Sequence, residues 1–379
     1  MMLKAITAHA LFDGERYLEQ HALVFDHTGI LEITPIDKLD SSVDLISYGD
    51  AIITPGFIDI QVNGGGGMML NDAQSVPTIE TIIKAHRKGG TAYLLPTLVS
   101  EKPSAMAAAL NAIEQGIEKK VDGLLGIHLE GPWLNPVKKG AHNENNFYSP
   151  SIEQLDAFPW LTQGINFITL APEQVDSASI KWLSGKGCII AAGHTNLAEL
   201  DLVGKRENIH GFTHLYNAMS SQTGRELGAV GVALSDDDCW ASYIADGIHV
   251  HPQNLLMAIK LKPKDKMVLV TDAMASVGNP DESFILDGQK IRVKDGKLVN
   301  DAGNLAGAHI TMAQSVKNLI DWGVSPEHAY QMASTNPAHA MNLGNELGYL
   351  KVGYRASATI LDKNGEPNSV LVDGKLYSC

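Results

Sequence analysis

Cysteine is rare in this chain. Its three copies, Cys188, Cys239 and Cys379, are odd in number, far apart and in no Cys-x-x-Cys pattern, so a disulfide framework is excluded and the thiols read as reduced, cytoplasmic ones. Long apolar runs are missing too. Nothing reaches the roughly 18 consecutive apolar residues of a membrane span, so no membrane partner is expected. Met1 to Arg16 carries His9, Asp13 and Glu15 where a secretory apolar core would sit, and no signal peptide is read there. Positive charge is in deficit, with 29 Lys and Arg against 43 Asp and Glu for a formal charge of −14. That field argues against nucleic acid as a general partner, and an anionic substrate would need a few local cations to capture it. No Gly-x-Gly-x-x-Gly opens a helix after the first strand of the main pattern, and Gly64-Gly65-Gly66-Gly67 is a loop, so dinucleotide binding has no support. Neither a Gly-x-Ser-x-Gly elbow nor a Ser/His/Asp triad occurs in a convincing context.

What is present is a 44% hydrophobic fraction over 379 residues, together with 36 glycines. That length suits one large α/β barrel with an accessory piece, or two ordinary domains. Before Thr54 the chain lacks long helical periodicity. Its strand-like runs, Ala22 to Phe25, Ile30 to Ile33 and Ala51 to Ile53, are bounded by turn signals such as Thr28-Gly29 and Gly49-Asp50. After Thr54-Pro55-Gly56, apolar strands recur at Phe57 to Gln61, Ala92 to Thr97, Leu124 to Glu130, Phe167 to Ala171, Cys188 to His194, Gly211 to His214, Ala241 to Asp246 and Met267 to Asp272. Helical patterning lies between several of them, at Thr78 to Lys88, Ser104 to Lys119 and Leu197 to Lys205. Eight strands alternating with helices predict an α/β fold with a parallel sheet, and eight closes a (β/α)8 TIM-like barrel; a doubly wound open sheet is the weaker alternative.

Beyond the eighth strand, Phe284 to Val299 carries Asp287-Gly288 and Asp295-Gly296, the marks of one or two hairpins. Helices are predicted over Thr311 to Asp321 and Pro326 to Met332, and strands return at Ala358 to Leu361, Ser369 to Val372 and Lys375 to Tyr377. The simplest assembly is a small β-sandwich domain built from residues 1–53 and 347–379, flanking a barrel over 54–346.

In such a barrel the chemistry gathers at the C-terminal ends of the strands. Those ends read Gln61, Thr97, Glu130, His194, His214, Asp246 and Asp272. Alternation along the third strand sends His128 and Glu130 to one face. A buried carboxylate needs a partner, so Glu130 calls for a cation, an ion pair or hydrogen bonds. Two imidazoles and one carboxylate from separate strand ends are a common ligand set for a catalytic divalent ion, which makes Glu130, His194 and His214 the predicted metal ligands. His128 reads as a core residue. Asp272 is either a cap or ion-pair partner, or the base that takes a proton from cation-activated water and later returns it to a leaving group.

Six motifs in order are more specific than any one of them. Pro-Gly-Phe-Ile-Asp-Ile-Gln-Val-Asn-Gly (55–64), His-Leu-Glu-Gly-Pro-Trp (128–133), Ala-Gly-His-Thr (192–195), Thr-His-Leu-Tyr-Asn-Ala-Met (213–219), Ala-Asp-Gly-Ile-His (245–249) and Val-Thr-Asp-Ala (270–273) resemble the N-acetylglucosamine-6-phosphate deacetylases of the amidohydrolase superfamily, over essentially the whole chain. The resemblance implies removal of acetate from N-acetyl-D-glucosamine 6-phosphate to give D-glucosamine 6-phosphate, in amino-sugar catabolism and recycling. It implies Glu130, His194 and His214 as ligands of one divalent ion per subunit, zinc first, with iron, nickel or cobalt also acceptable to this set. It gives Asp272 the acid and base role and puts His142 beside the acetyl carbonyl as an oxyanion donor.

Substrate contacts are implied for Gln61, Ala141, His142, Asn217, Ala218, Arg225, Asp246, Gly247, Ile248, His249, Leu305, Ala306 and Gly307, with Arg225 and His249 on the phosphate. In the family the residue matching Arg225 reaches the neighbouring subunit's site, which implies a homodimer. Most of the superfamily carries His-x-His at the end of strand one, where this chain reads Gln61-Val62-Asn63. Amides ligate divalent cations poorly, so a single-metal site is expected. Two rivals remain: an amidohydrolase for another N-acyl sugar or a cyclic amide, and a catalytically silent barrel that binds sugar phosphates. Arg225 with His249 speaks against a neutral substrate, and the intact Glu130, His194, His214 and Asp272 against silence.

Overall fold

The computed structural model describes residues 3–281, 283–286, 288–294, 296–299 and 305–379; the turn residues Asp287 and Asp295 lie outside the described residues. Eight strands form one parallel sheet whose spatial order follows the chain: β1 (Phe57–Val62), β2 (Thr91–Val99), β3 (Gly126–Glu130), β4 (Ile165–Leu170), β5 (Ile189–Ala192), β6 (Gly211–Phe212), β7 (Trp240–Ile244) and β8 (Met267–Val270). The sheet curls until its ends meet. The Asp272 N–H donates to Gln61 O at 3.0 Å and the Asn63 N–H to Ala273 O at 2.9 Å, and Val62 and Ala273 form a parallel bridge. Asp59 adds to this seam by accepting from the Thr271 hydroxyl at 2.5 Å. Parallel sheets are covered on both faces, which is why β1 to β4 are buried at every position.

Local signals start the outer helices. Ser75 caps Val76–Arg87 by accepting from the Thr78 N–H, Asp176 caps Ser177–Gly185, and Thr311 caps Met312–Asp321. The helix expected over Leu197 to Lys205 is not there; only a 3-10 turn, Glu199–Leu202, forms. The backbone leaves the helical region at Val203, with ψ of 121°, and turns at Gly204, with φ of +72°.

The two termini build the remaining large sheets. A four-stranded sheet sets His21–Asp26 between Gly29–Pro35 and Lys4–Thr7, with Asp44–Ser47 at its edge. A six-stranded sheet joins Ala10–Phe12, Tyr17–Glu19 and Ile52–Pro55 to Ala358–Leu361, Pro367–Val372 and Lys375–Ser378. The joint is antiparallel, with Ile53 opposite Ile360. One apolar core lies between these sheets, Ile6, Leu23 and Phe25 facing Leu11, Ile53, Ile360 and Leu371. After β8, the strands Ser283–Leu286, Gln289–Lys294 and Lys297–Val299 form the expected hairpins. Phe284, Ile291 and Leu298 pack there on Met69, Met274 and Ala306, beside the barrel mouth. Among the described residues no helix is long and apolar enough to cross a membrane.

Candidate active site

Glu130 is the last residue of β3, while His194, His214 and Asp272 each lie two residues beyond β5, β6 and β8. The last three leave their strands in left-handed backbone conformations, with φ of +47°, +38° and +52°. For a residue with a Cβ that costs about 1–2 kcal/mol each, so the surrounding bonds must hold it. The His214 N–H donates to Ser242 Oγ at 2.8 Å, and the Asp272 N–H is part of the barrel seam.

These turns bring three donor atoms together. Glu130 Oε1 lies 3.2 Å from His194 Nε2 and 3.0 Å from His214 Nε2, and the two imidazole nitrogens are 3.1 Å apart. Ligands on a tetrahedral ion with bonds of about 2.0–2.1 Å sit about 3.3 Å from one another, so this triangle fits one divalent cation. The tautomer of His194 fits as well. Its Nδ1 lies 2.8 Å from the Lys138 carbonyl, an acceptor only, so the proton is on Nδ1 and Nε2 keeps its lone pair for a metal.

Gln61 and Asn63 occupy the place of the missing His-x-His. Gln61 Nε2 donates to Glu130 Oε1 at 3.0 Å and to Asp272 Oδ1 at 3.1 Å, and Asn63 Nδ2 donates to Asp272 Oδ1 at 2.7 Å. Carboxylates can only accept, which fixes both amides with NH₂ towards them. The amide oxygens Gln61 Oε1 and Asn63 Oδ1 have no partner among the described residues. Donors, not ligands, therefore face the two carboxylates here.

The electrostatics divide the two acids. Burial opposes ionisation of Glu130, but its polar contacts with the His194 and His214 imidazoles hold its carboxyl well below the usual range. Asp272 is pushed up to about 6, by burial first and the Glu130 charge second. One carboxylate is thus kept charged and the other poised to exchange a proton near neutrality. Burial lowers the His214 imidazole, but the hydrogen bond and charge of Glu130 outweigh it and raise the group. His142 is pushed down to about 3, mainly by burial, so its ring is neutral.

The cavity at this mouth measures about 210 Å³. Of the predicted residues, Glu130, Ala141, His142, His194, His214, Asn217, Ala218, His249, Asp272, Leu305 and Gly307 line it. His142 Nε2 lies 3.7 Å from Glu130 Oε2. Gln61 is fully buried behind the lining as the clamp just described. Asp246 stands back too, accepting from His249 Nδ1 at 2.6 Å and from the Ile248 and His249 N–H groups. Gly247, Ile248 and Ala306 are outside the lining, and Arg225 is exposed, away from this cavity. His128 is buried in the barrel between Thr97 Oγ1 at 3.1 Å and Thr169 Oγ1 at 2.7 Å. Val99, Gly140 and Leu286 line the cavity without having been foreseen. Val99 extends β2 past the polar Thr97, where the apolar reading stopped, and Leu286 arrives from a hairpin distant in sequence.

Comparison with known proteins gives a consistent picture. The profile described as "Amidohydrolase family" matches residues 52–377. An N-acetylgalactosamine-6-phosphate deacetylase of Shewanella sp. (strain ANA-3) is 37% identical over 86% of this chain and 82% of its own. The crystal structure of N-acetylglucosamine-6-phosphate deacetylase from Pasteurella multocida is 32% identical with a TM-score of 0.93, covering 100% of both chains. A mutant of the Mycobacterium smegmatis N-acetyl-D-glucosamine-6-phosphate deacetylase, solved with N-acetyl-D-glucosamine-6-phosphate, is 26% identical with a TM-score of 0.90 over 99% of each chain.

Proposed function

The chain belongs to the amidohydrolase family, and from that premise we propose that it hydrolyses the N-acetyl amide of N-acetyl-D-glucosamine 6-phosphate to D-glucosamine 6-phosphate and acetate. The observation that carries the reading is the Glu130–His194–His214 triangle with Asp272 tied to it through one amide, Gln61 Nε2. A divalent ion held by those three residues would act as a Lewis acid on the acetyl carbonyl and on water. Asp272 accepts the proton that the attacking water loses as its oxygen bonds to the carbonyl carbon. His142, neutral and lining the cavity, donates a hydrogen bond to the carbonyl oxygen as negative charge gathers there. When the C–N bond breaks, Asp272 gives its proton to the departing amine, so acetate and a primary amine leave. We assign one ion per subunit, zinc first, because the amide nitrogens of Gln61 and Asn63 face the carboxylates from the side where a second ion would need ligands.

The phosphate needs a cation that this chain's own cavity lacks: no Lys or Arg lines it among the described residues, and His249 is engaged with Asp246. Arg225, exposed on the loop after β6, supplies it in a two-fold dimer by reaching the neighbouring site. Arg225→Ala should then weaken the phosphorylated sugar far more than unphosphorylated N-acetylglucosamine; equal losses would remove the assignment. The terminal sheets, residues 1–53 with 347–379, form a separate supporting domain, and the reduced thiols suit the cytoplasm. A second reading has the opposite configuration at the sugar 4-hydroxyl, favoured by the Shewanella relative at 37% identity. Acetate release from the two phosphorylated epimers and from plain N-acetylglucosamine tests both. The metal-loaded protein is expected to release acetate from a phosphorylated epimer, and no release from either would overturn the proposal.

A further inference from the structure

We propose that Ser100 is a positioning residue for this reaction: it fixes which ring nitrogen of His142 carries the proton, and so makes Nε2–H the donor presented to the substrate carbonyl. The inference rests on the role given to His142 above and supplies the reason that residue can fill it. Ser100 follows β2 directly, and its neighbour Val99 is paired with Glu130 of β3, so its position is set by the barrel itself.

Both polar groups of Ser100 converge on one nitrogen. Its backbone N–H lies 3.3 Å from His142 Nδ1, and its Oγ 2.7 Å from the same atom. A hydroxyl can donate or accept, but a backbone N–H can only donate. Nδ1 must therefore offer a lone pair, and the single proton of the neutral ring lies on Nε2. The other tautomer would set one N–H against another. The hydroxyl hydrogen then serves the short contact to Nδ1 and not the Glu130 carbonyl oxygen, which lies farther from Oγ at 3.3 Å. On the far edge of the ring, Nε2 faces Glu130 Oε2 at 3.7 Å across the cavity lining.

The surroundings keep Ser100 in place. It is buried, and its carbonyl accepts from Asn146 Nδ2 at 3.0 Å, on the loop that carries His142. Gly131 has φ +81°, and a Cβ built there would fall 2.2 Å from Ser100 Oγ. That glycine leaves the space that the hydroxyl fills.

The test is the tautomer of His142 in metal-loaded protein labelled with ¹⁵N-histidine, read by long-range ¹H–¹⁵N correlation and assigned with His142→Gln. The expected result is the Nε2–H form in the wild type. Ser100→Ala keeps only the longer 3.3 Å backbone N–H contact and loses the 2.7 Å hydroxyl contact to Nδ1, so a weakened preference should show as a mixture of forms in that variant. The same variant should lose about tenfold in kcat, a fraction of what losing an oxyanion donor costs, with KM and Tm close to wild type. Ser100→Thr, which keeps the hydroxyl, should restore the wild-type spectrum and turnover. A wild-type spectrum showing Nδ1–H overturns the proposal whatever the activities are, as does a Ser100→Ala protein with unchanged tautomer and turnover. Full turnover in His142→Gln would instead overturn the role of His142 and, with it, the catalytic meaning of Ser100.

Discussion

Two buried β-regions of this molecule are put together differently. Where the terminal sheets meet, Ile6, Leu23, Phe25, Ile53 and Ile360 pack without a charged group among them. At the barrel mouth, Glu130, His142, His194 and His214 are buried almost as deeply, 3–6% exposed against 0%. The backbone differs in the same sense. Five of the nine non-glycine residues with positive φ, among the described residues, belong to the mouth: His194, His214, Tyr216, Ala218 and Asp272. In the terminal sheets, Gln20 and Asp373 take that conformation in turns nearer the surface. The lesson is that one region contributes stability while the other spends it on placing charged and strained groups where chemistry needs them.

The sharpest way to separate the two is Asp272→Asn. Removing the base should lower kcat by about 10²–10⁴-fold, while metal content measured by elemental analysis stays as in the wild type and Tm does not fall. An Asn variant with ordinary turnover would place the proton transfer elsewhere. The mirror experiment is Ile360→Ala in the terminal core. It should cost about 2–5 kcal/mol in denaturant unfolding and leave kcat unchanged; a matching loss of kcat would mean that the two regions are not separable.

A third contrast is pH. The residues named in the terminal core are aliphatic and aromatic hydrocarbons that do not titrate, whereas His86, buried beside the Gly64 loop, is pushed down to about 4, mainly by burial. Its imidazole binds a proton in the unfolded chain at higher pH than in the folded one. Its contribution to stability is therefore full above the unfolded value near 6.5 and is lost as pH falls towards about 4, by about 3 kcal/mol. Unfolding of metal-free wild type and His86→Gln at about pH 7 and about pH 4 should show the wild type losing more; parallel losses would remove His86 as the cause. The smallest effect concerns strain. Ala218→Gly, at φ +48°, should raise stability by about 1 kcal/mol or less, the left-handed penalty net of glycine's extra chain entropy. A loss of stability would show that this backbone is not strained.

These regions were also unequally legible in the sequence. Most barrel strands announce themselves as apolar runs closed by a polar residue, and at Glu130, His194, His214 and Asp272 that residue is what the site uses, while the fourth run ends in Ala171. Lys4–Thr7, Ala10–Phe12, Tyr17–Glu19 and Asp44–Ser47 are three or four residues long, too short for alternation to register, and only pairing with neighbours in their own sheets makes them strands. The failed helix at Leu197 to Lys205 had the right periodicity, but the chain turns out of it at Val203 and Gly204. Ser100 was silent for a different reason: its partner His142 lies 42 residues away, and no pattern in the chain connects them.

The claim beneath all of this is that one divalent cation is held by Glu130, His194 and His214. Elemental analysis of purified wild type beside Glu130→Ala addresses it directly. The expected result is one divalent ion per wild-type chain and essentially none in the variant, with acetate release following the metal. Two ions per chain, or a full complement in Glu130→Ala, would contradict it.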